Sequence, residues 1–140
     1  MKSEKKNVVL DTNIIISAAI SKEGIPANIF YDLIRSKIIN YTTEEIIEEV
    51  LRVFDKPSLR DIVEDNRNNF VLSGSISKSI MCIPKFNEKV IIEDPSDDKF
   101  INCALTSKSN IVSGDSHLLR LKNYKGVKIM SAKEFLESLK

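Results

Sequence analysis

The sequence predicts an α/β domain, a three-layer α/β/α sandwich around a central parallel sheet. Three observations lead there. Short apolar runs of strand length alternate with segments of helical periodicity along the chain. The 140 residues suit one compact domain, and a 42% apolar composition supplies material for a core. No internal repeat, low-complexity stretch or linker divides the chain, so residues 1–140 read as a single domain with a flexible start over residues 1–6.

Each element has a local cause. Asn7–Leu10 is a short apolar strand, and Asp11 or Thr12 can cap a helix running to about Ile20. Gly24 and Pro26 punctuate the next start, and Ile29, Phe30, Leu33 and Ile34 have helical spacing to about Ser36. Ile38–Tyr41 reads as a strand. Thr42 with Glu45 makes a capping box for a helix over residues 43–54, which Pro57 stops. Leu59 to about Leu72 is a fourth helix with a polar face. Gly74–Pro84 is ambiguous between strand and helix, and residues 85–92 form an extended connection. Asp97–Lys108 is a helix, Asn110–Ser113 a strand and Ser116–Leu121 a short helix. Gly126–Met130 is the last strand, and Ser131 with Glu134 caps the final helix.

Composition excludes several classes. The 21 basic and 20 acidic side chains leave a net charge of +1, so nucleic-acid binding would need a local basic surface. Lys99, Lys108, Arg120, Lys122 and Lys125 are the basic residues near the motifs discussed below; some could line an RNA track, and each could equally be a solvated surface charge. Cys82 and Cys103 form no CxxC or Cys/His cluster, and Cys103 falls on the apolar side of its helix, as a core residue would. The charged start MKSEKKNVVL lacks a signal-peptide apolar stretch, and no run of about 18 apolar residues exists. The expectation is a soluble cytoplasmic protein with no membrane association.

Four acids stand out: Asp11 in VVLDTN, Glu49 in IIEEVL, Asp97 in EDPSDDKF and Asp115 in IVSGDSHLL. Asp11 follows the first strand and Asp115 lies just past a later one. In open parallel sheets, ligands collect beyond the carboxyl ends of strands. Asp97 projects near the middle of the Phe100, Ile101, Ala104 and Leu105 stripe at about 100° per residue, whereas Asp98 points toward solvent. Glu48 and Glu49 both flank the apolar face of the third helix, Glu49 slightly nearer its centre. Asp94 is a supporting residue or simply the turn residue before Pro95. Taken singly, Asp11 also reads as a helix cap and Asp115 as a turn residue. Four carboxylates gathered without positive partners repel one another, and a hard divalent cation such as Mg²⁺ or Mn²⁺ removes that conflict. The simplest chemistry is metal-assisted phosphodiester hydrolysis.

Read in order, these segments resemble the PIN-domain family of metal-dependent ribonucleases over roughly residues 7–135. VVLDTN matches the opening motif at Asp11 and Asn13. EEIIEEVLRVFDKP resembles the central segment, whose acid lies eight residues ahead of a Pro, which selects Glu49. EDPSDDKFINCA places Asp97 seven residues before Ala104, and IVSGDSHLL places Ser113 and Asp115 in the hydroxyl and acid positions. Ser113 stands where many relatives carry Thr; either hydroxyl can hydrogen-bond a phosphate or a metal-held water. DPSDDKF and SGDSHLLRL look most like the bacterial and archaeal branch of toxin components, VapC-like proteins.

The resemblance implies a PIN fold and a Mg²⁺- or Mn²⁺-dependent endoribonuclease. Asp11, Asp97, Asp115 and Glu49 would act as catalytic and metal-binding acids for one or two ions. Asn13 and Ser113, with Asp94, would orient carboxylates or substrate. It further implies an RNA substrate and a cognate antitoxin protein, and it is compatible with a homodimer. His117, two residues past the last acid, could contact substrate, but reads first as a surface or helix-start residue. A haloacid-dehalogenase-like phosphatase would need an Asp where Asn13 stands, and a phospho-accepting receiver domain would need an acidic pair at the first strand. The remaining rival is a non-catalytic PIN-fold module that binds RNA or protein; loss of acids would mark it, and all four are present.

Overall fold

The computed structural model describes residues 5–140. The elements are β1 (Lys6–Leu10), α1 (Thr12–Ile20), α2 (Ile25–Ile34), β2 (Ile38–Thr42), α3 (Glu44–Phe54), α4 (Pro57–Arg60), α5 (Asp65–Ser77) and β3 (Ile80–Met81). A 3-10 turn, Pro95–Asp97, leads into α6 (Asp98–Ser107), followed by β4 (Asn110–Val112), α7 (Ser116–Leu121), β5 (Asn123–Tyr124), β6 (Val127–Met130) and α8 (Ala132–Ser138). Of the expected flexible start, residues 1–4 lie outside the described residues, while Lys6 already pairs with Ile38 in the sheet.

One sheet of six strands runs in the order β3-β2-β1-β4-β6-β5. Every pairing is parallel except β5 with β6. That edge hairpin was not expected. It closes through Lys125 and Gly126, both at positive φ (48° and 90°), as a two-residue hairpin turn demands. The chain moves outward from β1 through β2 to β3, then returns to β4 on the other side of β1. Right-handed crossovers therefore put α1–α5 on one face of the sheet and α6 and α7 on the other. Accordingly, α6 packs on β1, β2 and β4, while α1, α2 and α5 pack on one another. The direction of travel reverses between β1 and β4, and a crevice opens beyond the carboxyl ends at such a point.

The core follows the apolar pattern. Val8 and Val9 of β1, Ile111 and Val112 of β4, Phe100 and Ile101 of α6, and Ile29 and Leu33 of α2 are fully buried. Each such side chain contributes about 1.5–3 kcal/mol relative to exposure. No helix among the described residues is long and apolar enough to cross a membrane.

Several boundaries differ from the sequence reading. Thr43, not Thr42, caps α3 by accepting from the Ile46 amide; Thr42 is the last residue of β2. Pro57 does end α3's run, but it also opens the short helix α4. The expected fourth helix is two helices, and the second continues through Gly74 to Ser77. A Cβ at Gly74 would lie 2.7 Å from Ile34 Cδ1, so glycine permits α5 to approach α2. The ambiguous segment thus resolves into a helix end and a two-residue edge strand. Ser131 and Glu134 form the expected capping box.

The extended connection has its backbone groups satisfied by side chains of one helix. Asp98 Oδ1 accepts from the amides of Val90 (3.0 Å) and Ile91 (2.8 Å). Asn102 Oδ1 accepts from Glu88 N (2.8 Å), and Thr106 Oγ1 accepts from Lys85 N (2.9 Å). Positions 98, 102 and 106 share one face of α6, which explains how a segment without a strand partner stays ordered. Asp98 is therefore a strut for this segment and not the solvent-facing residue expected.

Candidate active site

The crevice is built from the ends of strands. Register pairs Leu10 with Val112, so Asp11 and Ser113 leave β1 and β4 side by side. Asp11 N donates to Val112 O (2.9 Å), and Ser113 N to Met130 O (3.0 Å). Asn40 shapes the other flank: its Oδ1 accepts from Leu10 N (2.8 Å) in place of a ladder carbonyl. Asp11 and Asp115 cap α1 and α7, each with an extended backbone.

Ser113 links two of the acids. Its buried hydroxyl donates to Asp11 Oδ2 (2.6 Å) and accepts from Asp115 N (2.9 Å). A hydroxyl has one proton, so these two bonds fix its orientation. Burial pushes the Asp11 carboxyl above its ordinary range; the Ser113 bond counteracts this, and the charges of Glu49 and Asp115 add to the rise.

Asp97, 7% exposed, sits at the junction of the 3-10 turn and α6. Its Oδ2 is buried with no hydrogen-bond partner. Burial first, then the charges of Asp115, Asp94 and Asp11, push Asp97 up to about 7. Asp94 lies beside it and accepts from Ser96 N (3.2 Å) and Ser96 Oγ (2.6 Å), the latter bond holding its carboxyl below the ordinary range.

Glu49 projects toward this cluster from α3, whereas Glu48 is exposed. Both Glu49 oxygens are occupied. Oε1 pairs with Lys99 Nζ at 2.9 Å, and Oε2 accepts from the Thr12 hydroxyl. The Lys99 side chain is 6% exposed and also donates to Ser96 O (2.5 Å). This overturns two expectations. The acids are not without a positive partner, and Lys99 is an internal cation and not part of an RNA track. Lys99 lies one helical turn before the fully buried Cys103, a spacing in the sequence that signals its inward face. The other proposed track residues are exposed, with Arg120 paired to Glu93 (3.5 Å) and Lys125 to Glu88 (2.5 Å).

His117 sits at a helix start and is partly exposed, as its place in the sequence leads one to expect. Its amide donates to Asp115 Oδ1 (2.7 Å), and its ring lies on the first turn of α7. One ligating atom each from Asp97, Asp115 and His117 lies within 4.8 Å of the others. Asn13 offers its backbone amide to Asp11 (3.4 Å), and the residue is exposed. A cleft of about 830 Å³ is lined by Thr43, Phe86, Ile91, Pro95, Asp98 and Lys99; none of the four acids lines it.

The donor set suits a cation: several carboxylates, a buried carboxylate oxygen without a partner, and acids whose charged forms are disfavoured as they stand. Comparison with known proteins decides the family. The family model described as PIN domain matches residues 7–117. The chain belongs to the PIN-domain family. It is also 36% identical over 146 aligned positions to the uncharacterized protein MJ1680 of Methanocaldococcus jannaschii, covering 98% of this chain and 94% of that protein. PIN domains are generally metal-dependent nucleases that act on RNA, and the α/β/α sandwich with its largely parallel sheet is the fold expected of one.

Proposed function

We propose that this PIN domain is a Mg²⁺- or Mn²⁺-dependent endoribonuclease with Asp11, Asp97 and Asp115 as the acids that hold the metal. The single observation that carries the reading is Asp97: a buried carboxylate beside Asp115, with an oxygen that has no partner. A protein gains nothing in stability from such an arrangement unless a cation completes it. The divalent ion, when bound, supplies an activated water near neutral pH and stabilises charge at the scissile phosphate.

The chain's own residues do the rest. Ser113 holds Asp11 and the Asp115 backbone in register, so the two carboxylates converge from adjacent strand ends. Lys99 and Thr12 lock Glu49 beside the acids, which makes it a supporting anion and not a direct metal ligand. Asn13, exposed next to Asp11, would meet the substrate backbone in this reading.

The test is cleavage of a single-stranded RNA with Mg²⁺ or Mn²⁺ against chelator, in the wild type and Asp11→Asn. Wild-type cleavage should need the metal, and the variant should lose it while keeping its melting transition. Full activity in the variant, or in chelator, rejects the site. RNA binding without cleavage by the wild type would favour a non-catalytic module. The finer reading, a cytoplasmic toxin paired with an antitoxin protein, rests on the resemblance of DPSDDKF and SGDSHLLRL. Growth arrest on expression, relieved by a neighbouring small gene, is its test.

A further inference from the structure

We propose that His117 supplies a nitrogen ligand beside Asp97 and Asp115, and that this mixed set selects a first-row transition ion, Mn²⁺ or Co²⁺, over Mg²⁺. The proposal deepens the metal-dependent reading above and rests on it. Three facts single out these residues. Their ligating atoms already lie within 4.8 Å of one another. Octahedral bonds of about 2.1 Å put neighbouring ligand atoms about 3 Å apart and opposite ones about 4.2 Å apart, so small side-chain rotations close the set. Asp97 is more than nine-tenths buried and its Oδ2 has no partner.

Asp11 and Asp115 each have one oxygen held, by the Ser113 hydroxyl and the His117 amide, which leaves each an oxygen for an ion, whereas both oxygens of Glu49 are held by Lys99 and Thr12. The imidazole, in contrast, is available. His117 Nδ1 lies 3.7 Å from Asp115 Oδ1, too far for a hydrogen bond, and the side chain is 34% exposed. The ring is thus open to solvent beside the two acids. Carboxylates alone suit Mg²⁺ and Mn²⁺ alike, but imidazole is a poor ligand for the harder Mg²⁺ and a good one for transition ions. One nitrogen among otherwise carboxylate ligands therefore shifts selectivity, not merely affinity.

The experiment measures metal binding in the absence of RNA. Calorimetric titrations of the wild type, His117→Ala and His117→Gln with Mn²⁺ and Mg²⁺ are paired with the visible absorption of the Co²⁺-loaded proteins. The wild type should bind Mn²⁺ about tenfold or more tighter than Mg²⁺. His117→Ala should lose about tenfold for Mn²⁺ and less than about twofold for Mg²⁺, with an altered Co²⁺ spectrum. His117→Gln keeps side-chain bulk but offers oxygen, and should likewise erase the preference. An Ala variant with wild-type Mn²⁺ affinity, or one that weakens both ions alike, overturns the proposal. If the binding pattern holds but the wild type cleaves no RNA, the metal site stands and only the nuclease reading fails.

Discussion

Replacing Asp97 by Asn should stabilise the metal-free protein at alkaline pH. Burial and three neighbouring carboxylates push Asp97 from 3.8 to about 7. Each unit corresponds to 1.36 kcal/mol, so the ceiling is about 4 kcal/mol. The sign follows from proton counting. Between these two values the folded state holds a proton that the unfolded chain has released, so stability falls as pH rises. The contribution is fully present below about 4 and lost above about 7. Asp97→Asn removes the titration and keeps the shape. Urea unfolding in chelator from pH 4.5 to 8.5 should show the wild type losing stability relative to the variant. At pH 8 the variant should be ahead by about 1–3 kcal/mol, or roughly 3 °C of melting temperature per kcal/mol. Millimolar Mn²⁺ should reverse the order, because a hundredfold excess over Kd adds about 2.7 kcal/mol to the wild type. Parallel pH profiles, or a variant that is less stable in chelator at pH 8, would refute the reasoning and make Asp97 a structural cap.

Ser113→Ala removes the donor to Asp11 and the acceptor of the Asp115 amide, so it should cost about 1–3 kcal/mol in urea unfolding and most of the cleavage rate; Ser113→Thr should retain both. Glu49→Gln and Lys99→Met should each lower activity and stability. Their double variant should show a coupling of about 1–3 kcal/mol in a double-mutant cycle, whereas Glu48→Gln should leave both properties unchanged.

Most of the fold was legible because apolar period and capping chemistry act locally. Val8, Val9 and Leu10 announce β1, and Ser131 with Glu134 announces α8. Gly74 misleads because a helix interior disfavours glycine, yet the contact with Ile34 that requires it is tertiary. The last strand is legible, but its hairpin partner β5 hides because it is two residues long. At the site, strand ends point out Asp11 and Asp115, and helical phase points out Asp97. Lys99 was misread since charge suggests solvent; only the packed structure brings it to Glu49. Asp98 shows the same limit: a residue's type states what it can do, while its neighbours decide which of those things it does.

The ion pair of Lys99 with Glu49, whose other oxygen accepts from Thr12, has a kinetic consequence. α6 belongs to one helical layer, and α1 and α3 to the other, so the pair spans the edge of the sheet and joins the two layers. Neither half can form it until both layers have docked. Interactions absent from the folding transition state slow unfolding without speeding folding. The clasp therefore acts on the lifetime of the native crevice, keeping its acids assembled through the fluctuations that would otherwise part the two layers.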